Sequence, residues 1–108
     1  MASVYKNIVT TVGSTGDVTI YTCPAATEAI IKDINLYNSH SGTIVVYTKA
    51  TDSSASATVT LKKESITTLA TSTALEGPYI LEAADLFILN CDTASKIMVF
   101  ASVLEVSR

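Results

Sequence analysis

The feature that most limits what this chain can fold into is its punctuation. Short runs of β-branched and aromatic residues are broken by clusters of Gly, Pro, Asn, Asp and Ser, spaced roughly 8–12 residues apart. Within the runs, apolar side chains recur at every second position, the period of a strand buried on one face. No window carries the 3.6-residue period of an amphipathic helix, and the nearest candidate, Ile80–Leu86, is short. Such a chain hides its apolar rows by packing one antiparallel sheet against another. The expected fold is all-β: a single antiparallel β-sandwich over residues 1–108, with Greek-key or jelly-roll connections and about eight strands.

Ser3–Val12 forms the first strand and ends at the turn cluster Gly13-Ser14-Thr15-Gly16-Asp17. Asp17–Thr22 follows, with Val18 and Ile20 on one face, and Cys23-Pro24 stops it because proline cannot donate to a ladder. In the second half of Glu28–Asn38, Ile34, Leu36 and Asn38 share one face while Asp33, Asn35 and Tyr37 share the other. The turn Asn38–Gly42 leads into Thr43–Ala50, and the two runs read as a hairpin. Thr51–Ser56 reads as a polar loop, Ala57–Lys63 as a strand with Val59 and Leu61 inward, and Ser65–Ser72 as a further Thr-rich strand. Glu76-Gly77-Pro78 reads as a turn before the apolar segment Tyr79–Leu81, and Glu82–Asp85 as a tight corner. Leu86–Cys91 is a buried strand, and Asp92–Ser95 turns the chain into Lys96–Val106. The inner face of that last strand is Ile97, Val99, Ala101, Val103 and Glu105.

Composition narrows the function classes. Charged residues make up 16% of the chain, below the roughly 25% of an average domain. The net charge is −3, which argues against a nucleic-acid partner. A mean hydropathy of +0.40 is high for a chain with no apolar run approaching the ~20 residues of a membrane span. The apolar surplus is therefore assigned to subunit contacts rather than to membrane insertion. The N-terminal residues show no charged start followed by an apolar block, so folding in a cytoplasm is expected. In that setting Cys23 and Cys91, too far apart for a CxxC motif, read as small, partly buried hydrophobes, with an incidental bridge left open if the fold brings them together.

Chemistry-bearing constellations are scarce. His40 is the lone histidine and sits between serines in a turn, which is loop composition rather than a nucleophile elbow. Glu82 with Asp85, and Asp17 with Glu28, read as solvated or backbone-capping carboxylates. Gly13–Gly16 lacks the Lys-Ser/Thr of a phosphate loop, and Asp52-Ser53-Ser54 lacks the remaining ligands of a calcium loop. Lys62-Lys63 is too small a cluster for a nucleic-acid patch. No enzyme, cofactor or metal site is expected.

Longer motifs carry a resemblance. The segment Thr19–Ile34 runs from a strand ending Tyr21-Thr22-Cys23-Pro24 through a short turn into Ala29-Ile30-Ile31 and Ile34. Further on come Leu81-Glu82-Ala83-Ala84-Asp85 and the ending Ser102-Val103-Leu104-Glu105-Val106. In this order they resemble small virion proteins of tailed bacteriophages, and the opening Met1–Asn7 is similar to versions from marine phages. Two departures are Cys23, where valine is commoner, and Ala26, where glycine often ends the turn. The resemblance implies a non-enzymatic β-sandwich on the virion, assembled in the host cytoplasm and often trimeric. Its implied partners are further copies of itself, as a homotrimer, and other virion proteins, the major capsid protein foremost. A capsid decoration or cement protein is the first expectation. The second is a tail- or fibre-associated protein that binds a receptor or glycan, for which Tyr5, Tyr21, Tyr37, Tyr47 and Tyr79 would supply stacking faces, although each of them reads first as half-buried sheet packing with its hydroxyl in water. The candidate contact residues are Ser3, Val4, Tyr5 and Lys6, with Asp52, Ser53, Ser54, Ala55 and Ser56, chosen for their exposure in the strand reading.

Overall fold

The computed structural model describes residues 3–107, with the backbone alone at residues 74–77. Its strands are β1 (Ser3–Thr11), β2 (Gly16–Thr22), β3 (Thr27–Asn38), β4 (Ile44–Asp52), β5 (Ala57–Ile66), β6 (Thr71–Leu81), β7 (Leu86–Cys91) and β8 (Ile97–Ser107). They form two four-stranded sheets, ordered β1-β8-β3-β6 and β2-β7-β4-β5. We call these the first and second sheet. Every pairing is antiparallel. The pairs β1·β8, β2·β7, β3·β6 and β4·β5 are nested, so the chain folds back on itself at the β4–β5 turn. The resulting double ribbon then rolls into two sheets, which is the jelly-roll form of the expected sandwich.

The core lies between the inner rows of the two sheets. The first sheet supplies Ile31, Ile34 and Leu36 from β3 and Ile97, Val99, Ala101 and Val103 from β8. The second sheet supplies Ile44 and Val46 from β4 and Phe87, Leu89 and Cys91 from β7. Removing each large apolar side chain from water contributes about 1.5–3 kcal/mol. The inner row of β3 changes phase partway, from Ala29 and Ile31 to Ile34 and Leu36. A bulge explains this: Ile31 pairs with Val103 and Asp33 with Ser102, leaving Lys32 as the extra residue. The one-residue insertion moves the apolar row by one place while keeping it on the core.

Four local expectations are corrected. The β3 and β4 runs do not form a hairpin: β3 lies between β8 and β6, and β4 lies in the other sheet. The turn between them crosses the sandwich, held by the Asn38 side chain. Its Nδ2 donates to Gly42 O at 2.9 Å and to Ile66 O at 2.8 Å. Val59 and Leu61 are not buried and are 55% and 38% exposed. On this edge strand a bulge at Leu61 shifts the register, and the inner row is set by Ile66, with Glu64 half-buried beside it. Ser65–Ser72 is not one strand: β5 ends at Ile66, and the turn carries Leu69 at a φ of 55° before Thr71 opens β6. Glu76-Gly77-Pro78 is not a turn but part of β6. Gly77 and Pro78 together face the single residue Lys32 across the ladder. Proline is tolerated there because β6 is an edge strand and the site is a bulge.

Between strands the chain turns sharply with little glycine. Ala26, Ser56, Leu69, Ala84 and Ser95 all have positive φ, and each lies in a different connection. The Glu82–Asp85 corner is confirmed, closed by the amide of Asp85 donating to Glu82 O at 3.0 Å.

Candidate interaction surface

The two outer faces of the sandwich differ in chemistry. On the second sheet, Lys49 Nζ lies 2.9 Å from Asp17 Oδ1, and Asn90 Nδ2 donates to the same carboxylate at 2.7 Å. These contacts hold the Asp17 carboxyl below the usual range, Asn90 first and Lys49 next. Lys63 sits over the Tyr47 ring, 5.4 Å from its centroid. The charges of this face pair with one another, and its apolar residues Val45, Tyr47, Leu86 and Ile88 are half-buried or buried.

The first sheet turns an apolar face outward. Pairing places Tyr5 beside Leu104, Val9 beside Phe100 and Thr11 beside Met98. It continues across β3 with Ile30 beside Leu104 and Tyr37 beside Met98, and reaches Ile80 on β6. Tyr5 is 74% exposed, Val9 71%, Ile80 65%, Met98 49% and Phe100 48%. A groove of about 460 Å³ crosses this face from Val9 and Thr11, over Met98 and Phe100, to Tyr37 and Thr71. The polar row Asn7, Ser102 and Asp33 divides this face into two apolar patches, and exposed apolar surface of this kind is a candidate for interaction. The alternation of β8 held the signal for it: Met98, Phe100, Leu104 and Val106, interrupted by Ser102, stand in the row that faces away from the core.

Of the residues expected to make contacts, Ser3, Val4, Tyr5 and Lys6 lie exposed on β1, at the edge of the first sheet. Lys6 is not free. Its Nζ lies 3.0 Å from Glu105 Oε1, while Tyr21 Oη donates to Glu105 Oε2 at 2.5 Å. Asp52 ends β4, and Ser53, Ser54, Ala55 and Ser56 form the exposed β4–β5 turn. The structure puts the two groups at the same end of the sandwich but on opposite flanks, with β8 and β3 between β1 and the strands over the turn. The five tyrosines are divided between the sheets and do not converge on one site.

The turn is built around carboxylates. Asp52 Oδ1 accepts from Ser54 N at 3.1 Å and Ser54 Oγ at 2.7 Å, which holds its carboxyl below the usual range. Asp85, only 6% exposed, accepts from Ser53 N and from Glu82 N, both at 2.9 Å. Carboxylate oxygens of Asp52, Glu82 and Asp85 lie within 4.8 Å of one another, a convergence that 30 residues of sequence separation hides. Asp52 and Asp85 are occupied in closing the turn, and Asp85 takes the backbone-capping one of the two readings its sequence context left open.

The remaining chemistry-bearing groups are structural in placement. His40 is half-buried rather than solvated, its amide donating to Asn38 Oδ1 at 2.8 Å. Cys23 and Cys91 are buried and unpaired. Cys91 pairs with Gly16 at one end of β2, and Cys23 follows the other end, so the two lie at opposite ends of the sandwich. Burial raises both thiol pKa values, that of Cys91 to about 11, which keeps them protonated and inert.

No family model matches this chain, and no curated protein matches it in sequence. Solved structures do match in fold. A subunit of Bacillus endospore appendages, described as a novel family of disulfide-linked pili, superposes with a TM-score of 0.58 at 9% identity. The match covers 98% of this chain and 87% of that one. A pentameric capsid protein from metagenomic phage sequences gives 0.47 at 16% identity, over 94% of this chain and 63% of that one. The Eiger TNF of S. frugiperda gives 0.41 at 12% identity, over 83% and 64%. The chain thus spans under two thirds of the phage capsid protein and of the TNF protein. At these identities the likeness is one of fold: this is a small antiparallel jelly roll of the kind found in a pilus subunit.

Proposed function

We propose that this protein is a non-enzymatic structural subunit of a tailed-phage virion, and most specifically a decoration or cement protein of the capsid. The observation that carries the reading is the asymmetry of the sandwich. On one outer face the charges pair with one another and the apolar residues are half-buried or buried, while the other presents Tyr5, Val9, Met98 and Phe100 to solvent. An apolar face is suited to lasting protein–protein contact, since permanent interfaces are more apolar than transient ones. The order of motifs shared with small virion proteins supplies the setting, and a capsid protein is the partner such a face would cover. Bound at joints between capsid subunits, the protein would stabilise the shell by mass action.

The test is gold labelling of a C-terminal tag on intact particles, imaged by electron microscopy. Label in a regular lattice over the head is the expected result. Label confined to the tail would replace this reading with the receptor- or glycan-binding one, and unlabelled particles would end the virion assignment. Particles lacking the protein should also be more sensitive to heat and osmotic shock. Equal resistance would remove the cement role.

A further inference from the structure

Each sheet ends in two edge strands, β1 and β6 in the first and β2 and β5 in the second. An open edge is a template for pairing with another chain, and proteins guard it with bulges, proline or charge. Three of the four edges here are guarded. β2 bulges at Ile20, β5 bulges at Leu61 and carries Lys62-Lys63, and β6 bulges twice and contains Pro78. β1 is different. Its register against β8 is unbroken from Ser3 opposite Val106 to Thr11 opposite Met98, and it contains neither proline nor glycine. Its one charge, Lys6, is neutralised by Glu105 at 3.0 Å.

We propose that β1 pairs antiparallel with β1 of a second copy, about a two-fold axis at Asn7, joining two first sheets into one continuous sheet. The proposal rests on the reading that this protein works through protein–protein contacts, and it names one such contact. Centred on Asn7, the pairing uses all nine residues of β1. It keeps outer rows facing outward: Tyr5 meets the partner's Val9, Val9 meets the partner's Tyr5, and the Asn7 amides, each donor and acceptor, meet at the axis. The outer row of one copy then continues the apolar face of the other. Tyr5 and Phe100, 74% and 48% exposed, together present on the order of 250 Å² per copy, taking about 200 Å² for a fully exposed ring. Such a pairing is isologous and closes on itself, giving an even number of copies. The trimer implied by the resemblance needs a head-to-tail contact instead.

The experiment is light scattering after size exclusion on the full chain and two variants. Tyr5→Lys/Val9→Lys sets ammonium opposite ammonium twice across the proposed pair. Tyr5→Glu/Val9→Lys sets carboxylate opposite ammonium. Both positions are largely exposed in the single chain, and circular dichroism checks that the fold is kept. The expected result is a wild-type dimer whose dissociation constant is weakened at least about tenfold by the paired lysines and restored by the Glu/Lys pair. A mass unchanged by the lysines, whether of two or three copies, overturns the β1 pairing while leaving self-assembly intact. A wild-type monomer overturns it too, and the virion assignment is still read separately by gold labelling. Weakening in both variants overturns the register. If the lysine variant fails to fold, Asn7→Cys replaces it: oxidation should give a covalent dimer, because paired strands bring the two Cα atoms within disulfide reach. No cross-link would overturn the axis at Asn7.

Discussion

Tyr21 and Glu105 join the two sheets: the phenol of β2 donates to the carboxylate of β8 at 2.5 Å, across the open flank of the sandwich. Lys6 of β1 takes the other carboxylate oxygen at 3.0 Å. One buried carboxylate thereby ties three strands, and no run of neighbouring residues announces it. The Tyr21 bond, and after it Lys6, hold the Glu105 carboxyl below its ordinary value of 4.5, against the opposing effect of burial. Burial, and after it the same contact, push the Tyr21 phenol far into the alkaline range.

A carboxyl depressed in the folded state adds stability that is present above its unfolded pKa and is lost as pH falls through the folded one. Stability should therefore decline on acidification below about 4.5, and Glu105→Gln should flatten that decline. Tyr21→Phe should cost about 1.5–3 kcal/mol at neutral pH, the range for a hydrogen bond to a charged group. Urea unfolding across a pH series measures both. An unchanged acid slope in Glu105→Gln would show that other carboxylates, such as Asp17, dominate.

Asn38 is fully buried, and its side chain serves the crossing between sheets through Gly42 O, Ile66 O and the amide of His40. Truncation strands several buried backbone groups at once. Asn38→Ala should destabilise by about 3 kcal/mol or more, whereas His40→Ala, which keeps every backbone bond, should change stability by about 0.5 kcal/mol or less. Thermal unfolding of the two variants side by side separates the roles.

Thr48 is enclosed in the core, and its hydroxyl has no hydrogen-bond partner among the described residues. Thr48→Val keeps the shape and removes the unpaired group. It should raise stability by about 1 kcal/mol, a shift of a few degrees in melting temperature. A loss of stability would mean that the hydroxyl is satisfied by water.

Ala26 holds a φ of 54°, in the left-handed region where a side chain is strained. Glycine, with no Cβ, takes this conformation without that strain. Ala26→Gly should gain about 0.5–1 kcal/mol, read as a higher urea midpoint with an unchanged slope.

Much of the architecture was legible in the amino acids. The alternation of Ile97, Val99, Ala101, Val103 and Glu105 marked the inner face of β8, and turn residues marked most strand ends, because period and backbone chemistry are local properties. What misled was equally local. Asn38–Gly42 has the composition of a hairpin turn, and Glu76-Gly77-Pro78 that of a break. Neither segment carries information about whether its neighbours already have partners. The apolar row of β8 was visible, but which of its faces would remain uncovered was not.

Sequence alone determined the all-β class and the approximate strand count. Each follows from residue chemistry within a few positions of the chain. Only the tertiary structure decided that β3 and β4 part into different sheets, that Glu105 ties Lys6 to Tyr21, and that β1 alone among four edges lies open. Those are relations between segments up to a hundred residues apart. They are set by which strands compete successfully for each sheet edge and each side of the core, a competition settled only when the whole chain packs.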